Sequence, residues 1–205
     1  MSITYIIIGV TVVISLMAFS NQELLVKMRH WPYQEERRGE YYRWLTSGFL
    51  HADPMHLIFN MLTLYFFGGQ VESRFGMLFP GFGSIIYLVF YLVAIAAASS
   101  ATFVKYRHTP GFASIGASGA VAAVLFASIL FDPLSGIAMI FIPIPIPGFI
   151  FGILYLWYSS YEARRGRDNI DHVAHFFGAV FGFFFPLFFK PVLFLAFLDQ
   201  ITNWI

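Results

Sequence analysis

The chain contains no cysteine, which excludes disulfides, a thiolate nucleophile and any metal centre held by cysteine sulfur, and leaves the redox compartment open. Charge is nearly as scarce. Only 11% of the 205 residues are charged, and 12 Lys+Arg against 11 Asp+Glu give a formal net charge of +1, so no basic field points to nucleic acid. Several hydrolase signatures are missing as well. There is no H-E-x-x-H, no aspartate deep in an apolar run, and the G-x-S-x-G elbow of soluble hydrolases fails at Ala120, with no strand signal before it. Apolar bulk fills the chain instead: 59% of residues are hydrophobic and 20% aromatic, with a mean hydropathy of +0.73, the composition of an integral membrane protein.

Crossing the hydrocarbon takes about 20 apolar residues, and backbone in lipid must be helical or closed into a barrel. Six apolar windows bounded by charge are present, at 3–20, 54–71, 81–104, 116–131, 147–161 and 170–189. None alternates with period two, so the expected fold class is all-α, a polytopic six-helix membrane bundle forming a single domain over 1–205. The first window has no basic stretch before it and no small-residue cleavage signal after it, and reads as a retained helix. Loop one, 21–53, mixes Trp31, Tyr33, Tyr41, Tyr42 and Trp44 with basic residues and suits the headgroup region. Asp132-Pro133 ends the fourth helix, while the alternating prolines of "FIPIPIPG" (141 to 148) force extended backbone at the interface and leave a short fifth helix. The last apolar stretch, 192–205, either lies along the interface or packs on the bundle.

Polar side chains inside spans are costly and are functional candidates by default. With six alternating helices, the second, fourth and sixth enter from one side. Their first turns carry His56 and Asn60, then Ser118, then His172 and His175, all within about 10 Å of one face. His56 and Asn60 share a helix face. Gly116 and Gly119 flank Ser118 and permit close backbone approach, and unpaired N–H groups at a helix start can hold an anion. The Gly178–Gly182 pair lets the sixth helix pack tightly, with the fourth as the expected neighbour. These are the parts of acyl transfer: Ser118 as nucleophile, His175 as base, and the Ser118 N–H, Asn60 and His56 as oxyanion donors. No carboxylate lies at the depth of His175, so a dyad is expected rather than a triad.

In order and spacing, "EYYR" (40 to 43), His51, "HLIFN" (56 to 60), "VESRFG" (71 to 76), "GASGAV" (116 to 121), "FIPIP" (141 to 145) and "AHFFGAVFG" (174 to 182) resemble the rhomboid intramembrane serine proteases. The resemblance implies a six-helix core, Ser118 and His175 as catalytic dyad, and an oxyanion and substrate-binding site from His56, Asn60 and the Ser118 amide beside Gly116. It also implies a water-filled cavity capped by the loop after the fifth helix, transmembrane protein substrates, and Arg43 as a structural arginine. No metal or cofactor is implied. The chain is expected to be a multi-pass protein of a prokaryotic plasma membrane, with the lipid bilayer as its other partner. Rhomboid sequences often carry an aromatic residue four positions after the serine, where this chain has Ala122. Orientation of His175 is then expected from Phe176 or Phe126, or activity is weak. Loops one, three and five hold Lys27, Arg29, Arg37, Arg38, Arg43, Lys105, Arg107, Arg164, Arg165 and Arg167, against Arg74 and Lys190 on the other face. The positive-inside rule puts the site in the cytoplasm and the resemblance puts it outside. The second arrangement is adopted as the expectation.

Other readings compete. Small residues such as those around Ser118 mostly serve helix packing, and a serine can bond back to its own helix. A four-histidine metal site from His51, His56, His172 and His175 leaves Asn60 and Ser118 without roles. A transporter calls for paired interrupted segments in two halves, which the sequence lacks. The strongest alternative is a catalytically inactive rhomboid-like protein that binds transmembrane clients. Asn169, Asp171 and His172 are expected near the interface and merely solvated, His51 in loop packing, His30 and His108 exposed, and "FGFFFPLFF" (181 to 189) as lipid-facing bulk.

Overall fold

The computed structural model describes residues 2–139, 142–166, 168 and 170–204; Phe141, Arg167 and Asn169, named above, lie outside them. Helices occupy all six apolar windows: α1 (Ile3–Phe19), α5 (Pro54–Leu78), α6 (Gly83–Tyr106), α7 (Ser118–Phe131), α8 (Gly148–Arg165) and α9 (His172–Phe189). Loop one folds into the short helices α2 (Gln22–Met28), α3 (Pro32–Arg38) and α4 (Arg43–Thr46), and α10 (Val192–Thr202) follows α9. By length and composition, α6 and α9 are the described helices long and apolar enough to cross a membrane.

Three expectations change here. Two strands, β1 (Gly136–Met139) and β2 (Ile142–Pro147), pair antiparallel, with Ile137 opposite Ile146, so the chain is mostly rather than wholly helical. Prolines two apart leave their missing donors on one edge of a strand, since N–H directions alternate, and the other edge stays free to pair. The fifth apolar helix is not short either. Glu162, Arg164 and Arg165 carry α8 past its apolar window, and a left-handed Gly166 (φ 59°) ends it. Finally, the phenylalanine run is only partly lipid-facing. Phe181 stacks on Phe90 at 5.8 Å and Phe185 on Phe75 at 6.1 Å, while Phe188 is 84% exposed.

The core is organised around α7, whose residues 119–130 are all buried. It packs against α5, α6, α8 and α9, and α10 lies against α7 and α9, with Phe197 on Phe183 of α9, while Trp204 just past α10 meets Phe149 of α8. Lipid tails are as apolar as the side chains they replace, so tight association depends on backbone approach. A Cβ on Gly178 would overlap the Gly119 carbonyl, and one on Gly182 the Ala123 carbonyl, so this glycine pair lays α9 directly on α7. At the opposite end, Glu72 of α5 accepts from the Ile3 and Thr4 amides at 2.8 and 3.0 Å and from the Ser2 and Thr4 hydroxyls. A carboxylate is thereby placed on the positive end of α1.

Candidate active site

Loop one forms the platform. The Arg43 guanidinium, almost wholly buried, reaches the Glu40 carboxylate at 2.7 Å and donates to the carbonyls of Val26 (2.7 Å) and Arg29 (3.1 Å). That arrangement holds the α2 end against α4 and agrees with a structural arginine. Contrary to expectation, His30 is buried, because its Nδ1 meets Glu35 Oε1 at 2.8 Å. His108 is exposed as expected. The backbones of His30 and Ser114 exchange hydrogen bonds at 3.0 and 2.9 Å, and the Gly116 N–H donates to the Ser47 carbonyl at 3.1 Å. Loop one thus grips the segment leading into α7 at two points.

Gly116 adopts φ 137°, which a side chain disfavours, and a Cβ there would lie 2.9 Å from His56 Cε1, 3.1 Å from His56 Nε2 and 3.7 Å from Ser118 Oγ. His56 and Ser118 therefore border one small space that only glycine leaves open. Ser118 is the first residue of α7, so its N–H and the next ones have no partner within the helix. From α9, His175 Nε2 lies 2.7 Å from Ser118 Oγ. The second and sixth windows start where their caps dictate. Asp53 accepts from the His56 N–H at 2.8 Å with Pro54 opening α5, and Asp171 accepts from the Ala174 N–H at 2.9 Å to open α9.

Ser118, His175, His56 and Gly116 are brought together. Asn60 is buried one turn along α5 from His56, and one of its amide hydrogens goes to the His56 carbonyl at 2.9 Å rather than toward Ser118. His51 is fully buried, with Nδ1 2.9 Å from Ser15 Oγ and its ring edge-on to His56 at 5.0 Å. Burial, reinforced by the nearby His56, holds its pKa down at about 3, so it is neutral at ordinary pH. His172 is buried too, its Nε2 3.1 Å from the Asp168 carboxylate, and that hydrogen bond lowers the Asp168 pKa.

Two neighbours escape the sequence reading. The ring tilted over His175 belongs to Tyr155 of α8, 6.3 Å away at 30°, in place of Phe176 or Phe126; Phe126 backs Tyr155 at 5.5 Å. Ala122 and Tyr155 belong to the same apolar cluster. Nothing local in the sequence links residues this far apart. Asp171, expected to be merely solvated, accepts from Ser114 Oγ and Thr102 Oγ1 at 2.9 Å each. A capping aspartate ahead of an apolar run is a legible signal, although its outside partners are not. Ser118, Ser47, Ser99, Ser114 and Asp171 line one cavity of about 20 Å³, room for a single water. Among the described residues, no group of three or more His, Asp or Glu side chains is arranged to hold a metal ion.

These features define a mostly helical protein, with two described helices long and apolar enough to cross a membrane and a serine–histidine pair enclosed by its helices. The Rhomboid domain family matches residues 38–191, and the chain belongs to that family. It is 32% identical to RHOMBOID-like protein 12, mitochondrial, of Arabidopsis thaliana, over 70% of this chain and 45% of that protein. Rhomboid protease GlpG of Haemophilus influenzae is 32% identical over 49% of this chain and 47% of its own length, and GlpG of Yersinia pestis 31% over 30% and 22%. The chain thus spans less than half the length of the curated relatives it matches. Membership makes the chain membrane-embedded. A mitochondrial protein among these relatives means that they do not support the expected prokaryotic plasma membrane.

Proposed function

We propose that this chain is an intramembrane serine endopeptidase that cleaves transmembrane proteins with a Ser118–His175 dyad. The carrying observation is the 2.7 Å approach of His175 Nε2 to Ser118 Oγ inside a membrane-embedded bundle. The hydroxyl proton passes to His175 Nε2 as Ser118 Oγ bonds to the scissile carbonyl carbon. Negative charge then develops on the carbonyl oxygen beside the Ser118 N–H at the start of α7 and His56 Nε2, which with Ser118 Oγ borders the space left by Gly116, with Asn60 one turn along α5. The His175 proton goes to the leaving amine, and water hydrolyses the acyl-enzyme by the same route in reverse. No metal or cofactor has a role in this scheme.

A client-binding protein without activity draws its support from Ala122. Tyr155 beside His175 weighs against it, because a ring from another helix lies against the imidazole without an aromatic at position 122. The test is labelling of the detergent-solubilised chain by a fluorophosphonate, read by intact mass. A stoichiometric adduct that disappears in Ser118→Ala and in His175→Ala supports the dyad. A folded wild-type chain that takes no adduct moves the reading to client binding.

A further inference from the structure

Asp171 touches both halves of the site through different atoms. Its main-chain carbonyl accepts the His175 N–H at 3.1 Å. Its Oδ1 accepts from the Ala174 N–H and from Thr102 Oγ1 of α6, and its Oδ2 accepts from Ser114 Oγ, each at 2.9 Å. Ser114 is itself paired through its backbone to His30 of loop one and lies on the segment that delivers Ser118. The side chain also lines the small cavity that reaches Ser118. A single half-buried residue therefore ties the start of the base helix, the end of α6 and the nucleophile segment together.

We infer that Asp171 is a positioning residue for the serine–histidine pair, acting through this clamp and through its charge; the inference rests on the protease reading. Three donors converge on its two oxygens, an arrangement that suits a carboxylate. Among the described residues it makes no side-chain hydrogen bond to His175, so it is not the third member of a triad. It acts across space. When Ser118 gives up its proton, His175 becomes a cation, and a fixed anion one turn away in a site enclosed by apolar helices favours that charge. The His172–Asp168 pair adds less, since Asp168 is solvent-facing and bound to His172.

The test uses the full chain in detergent, a transmembrane model substrate, and Asp171→Asn beside Asp171→Ala. Asparagine keeps the size and the oxygen that caps α9 but removes the charge. Asp171→Asn is expected to lower kcat about 10-fold, with KM within about twofold and Tm unchanged, the pattern of an interaction made only in the transition state. Asp171→Ala, which also removes the cap and the Ser114 tie, is expected to lose about 100-fold in kcat and to melt lower. Wild-type kcat in Asp171→Asn, or a loss confined to KM or accompanied by a matching fall in Tm, overturns the inference while leaving the dyad standing. A wild-type chain that takes no fluorophosphonate adduct brings down both.

Discussion

Gly178→Ala is the sharpest perturbation the packing offers. Gly178 lies one turn beyond His175, and the backbone it meets belongs to Gly119, which follows Ser118. One methyl group therefore acts on the separation of nucleophile and base without touching either. Ordinary van der Waals contact begins at 3.4 Å, and the added Cβ would sit inside that distance from the Gly119 carbonyl carbon, carbonyl oxygen and Cα at once. No rotamer relieves it, because alanine has none and the neighbour is backbone. The helices must part by about 1 Å, at an overpacking cost of about 1–3 kcal/mol. A shift of about 1 Å between reacting groups is worth about 100-fold in rate, or about 2.7 kcal/mol in the barrier. The assay is the rate of fluorophosphonate labelling and the kcat for a transmembrane model substrate, with Tm measured on the same preparations. Gly69→Ala on α5 is the control, since nothing lies within 4 Å of its added Cβ and alanine is the better helix former. Wild-type labelling and wild-type Tm in Gly178→Ala would refute the claim that the α7–α9 contact sets the dyad distance.

Three further outcomes are expected. Tyr155→Ala lowers kcat about 3- to 10-fold by removing the ring against His175, whereas Tyr155→Phe stays near wild type; equal losses in both variants would point to the hydroxyl instead. His51 loses its proton affinity on folding, its pKa falling from 6.5 to about 3 through burial and the nearby His56, so below about pH 6.5 the unfolded chain binds more protons. Its contribution is complete above pH 6.5 and falls by about 1.4 kcal/mol per pH unit as acid is added. Thermal melts at pH 7.5 and pH 5 should therefore differ less for His51→Gln than for wild type, and an unchanged difference removes His51 from the account. Glu35→Ala strands the donors His30 Nδ1, Trp31 N–H and Trp44 Nε1, at roughly 1–3 kcal/mol for each group left unpaired, and should lower Tm and open loop one to protease. A variant as stable as wild type would mean that loop one does not depend on this carboxylate.

What the sequence made legible follows the range of the interactions. The apolar windows and the stop at Asp132 are local matters of hydrophobic length and backbone geometry, so helix existence could be read directly. Ser118 and His175 could be singled out because a polar group in a greasy helix is costly wherever it sits, and helix alternation alone puts both at one face. The errors arise where partners are distant in sequence. His30 looked exposed because nothing in its surroundings says that Glu35 folds back on it from α3. Asp171 looked solvated because Thr102 and Ser114, which satisfy it, belong to an earlier helix and loop. Tyr155 gave no signal, since a tyrosine in an apolar run is unremarkable until α8 is laid beside α9. The ends of α8 were missed for another reason: an apolar window measures contact with lipid, whereas a helix runs on into water wherever its charged residues permit.

The length of α7 bears on how a serine–histidine pair can sit inside this bundle. Its 14 residues rise about 21 Å, well short of a hydrocarbon layer of about 30 Å. A lipid-facing helix that short would have to thin the bilayer or pull neighbours around it. Here α7 is enclosed by protein along residues 119–130 and has no such constraint. The non-helical segment that leads into α7 is tied to protein at Ser114 and Gly116, through His30, Ser47 and Asp171. Burying the central helix is thus what permits a hydroxyl, an imidazole and unpaired amides to meet inside a bundle whose outer helices are apolar. A polar side chain on the enclosing helices, facing outward at the same depth, would find only hydrocarbon.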